Sequence, residues 1–184
     1  VEVALLGGSF NPPHVGHLLV AHYVRATQPV DQVWLMPSDR HPFGKALAPF
    51  EHRLAMCEAL CRDASGWLRA VDVERHVPGE GRTVDTLEHL TRTHPGVRFA
   101  LVIGSDILPD LPQWKNFARI RELARVVVIH RAGYPDPRAV GPPLAEVSST
   151  AVREVLRSGR DPEGLVPRAV MEHLRHHRLY PAGP

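Results

Sequence analysis

Five short β-forming apolar runs, "VEVALL", "QVWLMP", "LRAVDV", "RFALVIG" and "RVVVIH", recur along the chain with helix-period segments between them. This alternation constrains the fold more than any other feature. Four of the runs are apolar on both faces at their centres, the pattern of strands buried between helix layers, whereas "LRAVDV" alternates and is expected nearer an edge. The segments at about 15–27, 49–63, 83–93 and 115–123 carry apolar residues three or four apart, so each reads as a helix with one buried face. Strand, helix, strand repetition predicts an α/β protein, a doubly wound Rossmann-like parallel sheet with helices on both faces. Ligands of such sheets bind at the carboxyl ends of the strands.

After the fifth run comes "AGYPDPRAVGPP", an irregular connection rich in Pro and Gly. A short strand "AEV" is expected next, followed by a helix in "SSTAVREVLRSG" with hydroxyl caps and a closing glycine. The segment "PRAVMEHLRHH" supplies a last helix with proline in its first turn. With 184 residues, the expectation is a single domain over 1–184 with a small C-terminal helical portion.

The charge balance is near neutral, +2 with 12 histidines, which suits an anionic ligand without calling for nucleic acid. Cys57 and Cys61 lie four apart in a helical segment and are read as small apolar residues facing the core. No apolar run approaches the ~20 residues that span a bilayer, and no charged-then-apolar leader precedes the first strand. A cytoplasmic protein without a membrane partner is therefore expected. A homo-oligomer stays an open alternative.

Chemistry concentrates in "GGSFNPPHVGH", residues 7–17, where the first strand runs into the first helix. Gly7 and Gly8 let the backbone approach a ligand, and the free N–H groups of the following helix favour an anion. Neither the G-x-G-x-x-G spacing of dehydrogenases nor the Gly-Lys-Ser/Thr ending of a P-loop is present. His14 and His17 stand three apart and can face one ligand. As a metal site they lack recognisable further donors, which leaves a capping or core role, or hydrogen bonds to phosphate. The phosphate reading needs a second element, and "SSTAVR" provides it: Ser148, Ser149 and Thr150 can cap a helix or bind phosphate, and Arg153 adds a charge.

With these two elements in place the chain resembles the H-x-G-H nucleotidyltransferases, and within them the bacterial nicotinate-nucleotide adenylyltransferases. The first signature is His14-Val15-Gly16-His17 and the second is "VSSTAVR". Between them "HPFGK", "FEHRLAM", "RTVDTL", "FALVIGSD", "LPQW" and "VVIHRAGYP" are similar to successive segments of that family, as is the ending "HRLY". The resemblance implies transfer of an adenylyl group from ATP, with magnesium, to nicotinate mononucleotide. It implies catalytic roles for His14, His17 and Arg153. ATP would lie against Gly7, Gly8, Ser9, Phe10, His14, Gly16, His17, Gly104, Asp106, Ser148, Ser149, Thr150 and Arg153. The pyridine mononucleotide would meet Asn11, Lys45, Thr83, Thr86, Trp114 and Arg131. Asp106 is expected to accept ribose hydroxyls or to cap the next helix.

Three positions depart from the family's usual pattern: Ser9 and Asn11 stand where threonine and aspartate are common, and Lys115 where an aromatic is. Asn11 removes a charge beside the phosphates, which makes it a candidate for substrate choice. Lys115 either pairs with a nicotinate carboxylate or points to water. The alternatives are an adenylyltransferase for nicotinamide mononucleotide or 4′-phosphopantetheine, or a nucleotide-binding sensor without turnover.

Overall fold

The computed structural model describes residues 1–39, 47–78 and 82–181. Its strands are β1 (Glu2–Gly8), β2 (Gln32–Pro37), β3 (Leu68–Ala70), β4 (Arg98–Gly104), β5 (Ala124–Ile129) and β6 (Ala139–Val140). Helices α1 (Val15–Thr27), α2 (Phe50–Cys61), α3 (Thr83–Thr93), α4 (Phe117–Leu123), α5 (Ser149–Arg157) and α6 (Arg168–His176) connect or follow them. All ladders are parallel, in the order β3-β2-β1-β4-β5-β6. The chain winds outward from β1 in one direction and returns through β4 in the other, so the strand order reverses between β1 and β4. A crevice opens at such a switch point.

Period-2 alternation divides β1, β2, β4 and β5 between two cores. Ala4, Val33, Leu35, Ala100, Val102 and Val127 face α1, α2, α5 and α6. Val3, Leu5, Met36, Phe99, Leu101 and Ile103 face α3 and α4. The C-terminal helices therefore complete one layer of the sandwich. Val170, Met171 and Leu174 of α6 are buried in that layer together with Cys57, while Cys61 packs against it partly exposed.

Three expected elements differ. The strand expected in "LRAVDV" stops at Ala70, and Val73–His76 winds into a 3-10 turn. Val71 still donates to the Leu35 carbonyl at 2.9 Å, but the next donor along that edge of β2 would be Pro37, which has no N–H. The strand expected in "AEV" is absent among the described residues. Instead Ala139 and Val140 pair with Val128 and Ile129, and Pro142 and Pro143 then withhold the donors that would extend the ladder. The fourth helix begins at Phe117 because Asn116 takes a left-handed conformation, φ 51°, and its side chain accepts from Arg119 N–H at 3.3 Å. No helix among the described residues is long and apolar enough to cross a membrane.

Candidate active site

The two histidines meet at the start of α1, where β1 delivers the chain to the switch point. Their ring centroids lie 3.9 Å apart, and His17 also stacks on Phe10 at 4.6 Å. His17 Nδ1 accepts a 3.1 Å bond from the His14 backbone N–H, which puts the proton of a neutral His17 on Nε2. Burial, and after it the charge of Arg131, lowers the pKa of His14 to about 4. Burial, then His14, also holds His17 well below the imidazole range. Burial thus favours the neutral form of both rings, in which each keeps one ring N–H to donate and one nitrogen to accept. His14 Nδ1 is buried and has no hydrogen-bond partner among the described residues. Gly16 is required between them because a Cβ there would stand 2.9 Å from the His14 ring and 3.3 Å from Val147.

The second signature reaches this spot through α5. Ser148 caps the helix by accepting from Ala151 N–H at 3.1 Å, and Ser149 Oγ donates to the Pro12 carbonyl at 2.8 Å. Arg153 donates to the Asn11 carbonyl at 2.6 Å and to Thr150 Oγ1 at 3.1 Å. The 7–17 stretch and the 148–153 stretch are thus bonded to each other, with the guanidinium half-buried between them.

Asn11 is 3% exposed, and its amide oxygen accepts from Ala48 N–H at 3.0 Å and from the Tyr180 hydroxyl. Burial pushes the Tyr180 phenol up to about 12, so it stays a donor. The structure thus turns the side chain of Asn11 inward, as a brace. Phe10 is likewise interior: its ring is 1% exposed, under Gly8 and His17, with φ 45°. Ser9 contributes its carbonyl, which accepts from Arg53 at 3.0 Å.

Beyond the glycines a cavity of about 330 Å³ opens between β1, β4 and α3. Gly7, Gly8, Gly104, Thr83, Thr86, Ile107 and Trp114 line it, with Ser38 and Glu74 at one side. A Cβ on Gly7 would project into open space. At Gly104 a Cβ would collide with Asp106 Oδ1 at 2.1 Å, so glycine lets Asp106 fold back over the end of β4. Asp106 faces Arg131 Nε at 3.9 Å and does not cap the 3-10 helix Ser105–Gln113. Arg131 N–H is fixed by Ser105 Oγ at 2.9 Å. Trp114 packs edge-on against Phe117 at 6.4 Å and presents the rest of its ring to the cavity. Lys115 pairs with Asp85 at 3.2 Å, so its charge is engaged within the protein. Lys45 lies outside the described residues. A larger groove, about 420 Å³, runs along the far edge beside Trp34 and Val71, and holds none of the expected site residues.

Two site residues escaped the sequence reading. Arg53 is 2% exposed, and its guanidinium donates to the carbonyls of Ser9 (3.0 Å), Ser38 (2.7 Å) and Ala48 (2.9 Å). It clamps the segments that follow β1 and β2 to the chain entering α2. The signal was available: Arg53 falls three residues from Phe50 and three from Met56, on the apolar stripe of α2. Glu74 carried no such signal. Burial, opposed by a bond from Asp39 N–H and reinforced by the Asp39 charge, raises its pKa to about 7.

A doubly wound sheet that brings an H-x-G-H histidine pair and a serine-capped arginine helix to its switch point defines a nucleotidyltransferase. A family model described as cytidylyltransferase-like matches residues 5–155. The "Probable nicotinate-nucleotide adenylyltransferase" of Myxococcus xanthus (strain DK1622) is 61% identical over 180 residues, 98% of this chain and 95% of that protein. The protein of the same name from Anaeromyxobacter dehalogenans (strain 2CP-C) is 49% identical over 97% of this chain and 96% of its own length. The chain belongs to the nicotinate-nucleotide adenylyltransferase family of cytidylyltransferase-like proteins. Its fold is also that of the Plasmodium falciparum nicotinic acid mononucleotide adenylyltransferase complexed with NaAD, with a TM-score of 0.81 at 20% identity over 97% of both chains. A putative nicotinate-nucleotide adenylyltransferase from Vibrio parahaemolyticus gives 0.72 at 23% identity, over 94% of this chain and 98% of that one.

Proposed function

We propose that this protein transfers the adenylyl group of ATP to nicotinate mononucleotide, forming nicotinate adenine dinucleotide and pyrophosphate for NAD biosynthesis. The observation that carries the reading is the placement of a cradle of hydrogen-bond donors suited to phosphate beside a mostly apolar cavity bearing Trp114, at one switch point. A phosphate oxygen of the mononucleotide, already ionised, forms the bond to the α-phosphorus while the bond to the β-phosphate oxygen breaks. No general base is required. The protein's task is to hold the two phosphates in line and to meet the charge on the α-phosphate and the departing pyrophosphate.

His17 Nε2–H and His14 supply neutral donors, and Arg153 with the α5 N-terminus supplies the cationic side of the cradle. Thr83, Thr86 and Trp114 would receive the pyridine ring, and Asp106 the ribose. The donor set around the histidines is nitrogen and hydroxyl, which fits phosphate oxygens better than a hard cation. Magnesium would therefore arrive held by the triphosphate and water, neutralising part of the phosphate charge. The reaction would run in the cytoplasm.

The test is turnover with ATP and magnesium against nicotinate mononucleotide, nicotinamide mononucleotide and 4′-phosphopantetheine in separate reactions. Dinucleotide and pyrophosphate form fastest with the first. Preference for the second or third reassigns the substrate, and turnover with none removes the enzyme reading.

A further inference from the structure

Away from the switch point, three histidines converge where α2 packs on α6. His52 comes from the first turn of α2, and His173 from α6; His177 lies at the end of α6, one helical turn beyond His173. One ring nitrogen from each lies within 4.8 Å of the others, and His52 Nδ1 to His173 Nε2 is 3.2 Å. Ring centroids are 4.4 Å apart for His173 and His177, 4.6 Å for His52 and His177, and 5.3 Å for His52 and His173. Among the described residues this is the one group of three potential ligands that meets in this way.

We propose that His52, His173 and His177 form a binding site for a borderline divalent transition metal, zinc foremost, that staples α2 to α6. Imidazole is the ligand type that zinc, copper and nickel accept readily, and hard cations such as magnesium do not. Zinc–nitrogen bonds of ~2.0–2.1 Å in a tetrahedron set nitrogen–nitrogen edges of about 3.3 Å. The His52–His173 edge already has that length, and rotation of the exposed His177 ring closes the other two. Histidines at i and i+4 on one helix are a recurrent way to present two such ligands. The fourth position faces solvent beside the exposed His177 and suits water.

The staple has a definite mechanical consequence. His52 directly precedes Arg53, which holds the carbonyls of Ser9, Ser38 and Ala48. Three residues past His177, Tyr180 bonds the Asn11 amide. An ion joining the two helices fixes both braces of the loop beneath the histidine pair, although it touches no substrate. It is a structural site, distinct from the magnesium that accompanies ATP.

The experiment uses the full-length, untagged protein, stripped with a chelator and free of nucleotide, titrated with Co2+ by visible absorption and with Zn2+ by calorimetry. One equivalent binds with a Kd of about 10 µM or tighter, cobalt shows the intense visible bands of a four-coordinate ion, and zinc raises the Tm. His177→Asn and His52→Asn each weaken binding by about tenfold or more and abolish the zinc-dependent rise in Tm. His177→Asn, at an exposed position, keeps the metal-free Tm of the parent, so its lost binding cannot be put down to misfolding. Absence of saturable binding up to about 100 µM, or stoichiometric binding that survives both substitutions, overturns the proposal.

Discussion

Arg153 donates to the backbone carbonyl of Asn11 at 2.6 Å, joining two segments 142 positions apart. The bond places a guanidinium, through a fork that also reaches Thr150, at the mouth where the phosphates would meet. A lysine can carry the charge but has no planar fork with which to hold both partners.

Arg153→Ala should lower kcat about 100-fold, the scale for losing one positioned charge-stabilising group, and Arg153→Lys should recover only part of it. Steady-state kinetics with both substrates varied will check this. A rise in KM at unchanged kcat would instead assign Arg153 to ground-state binding.

His17 contributes a single free N–H, fixed on Nε2 by the bond that Nδ1 accepts. His17→Ala should reduce kcat by at least ~100-fold with the fold intact by circular dichroism. An unchanged kcat would leave His17 only its structural contacts with Phe10 and the His14 backbone.

Stability should depend on pH through His14. Its folded pKa of about 4 lies below the ~6.5 of an unfolded histidine, so between these values the unfolded chain binds more protons. Stability from this group is complete above pH ~6.5 and falls as the pH drops toward 4, by up to about 3 kcal/mol. Urea midpoints at pH 7.5, 6 and 5 should drop less for His14→Gln than for the parent. Parallel slopes in the two proteins would contradict the assignment.

Glu74 works in the opposite sense. Its folded pKa of about 7 lies above the ordinary glutamate value, so the folded state holds the proton longer and stability declines as pH rises toward 7. The same ionisation puts a negative charge at the side of the cavity. A nicotinate carboxylate there would be repelled by about 1 kcal/mol, so the KM for nicotinate mononucleotide should rise roughly fivefold between pH 6 and 8. Glu74→Gln should flatten that profile and leave kcat in place. A flat profile in the parent would show that the substrate carboxylate lies away from Glu74.

Much of the architecture was legible in the chain. Both-face apolar runs and i, i+3, i+4 spacings report local burial directly, so β1, β2, β4 and β5 and the main helices fall close to where the pattern puts them. The edge position of β3 followed from its alternation. The sixth strand did not, because a two-residue ladder beside Gly and Pro has too few residues for any period to emerge.

At the site, sequence by itself pointed to the histidine pair and the serine-capped helix with Arg153, and the family resemblance carried by that sequence added the threonines and tryptophan of the cavity. Tertiary structure alone decided what each polar group does. Asn11 and Lys115 are the kinds of side chain that bind substrates, yet Asn11 is claimed by Ala48 and Tyr180 and Lys115 by Asp85. Spacing puts Arg53 on the apolar stripe of α2, but only folding gathers three carbonyls from separate segments around it, and His52 joins His173 only when α2 meets α6. Hydrogen bonds act over about 3 Å and metal–ligand bonds over about 2 Å. Periodicity along the chain fixes which face a residue takes, and only the packing of distant segments fixes what stands within those distances.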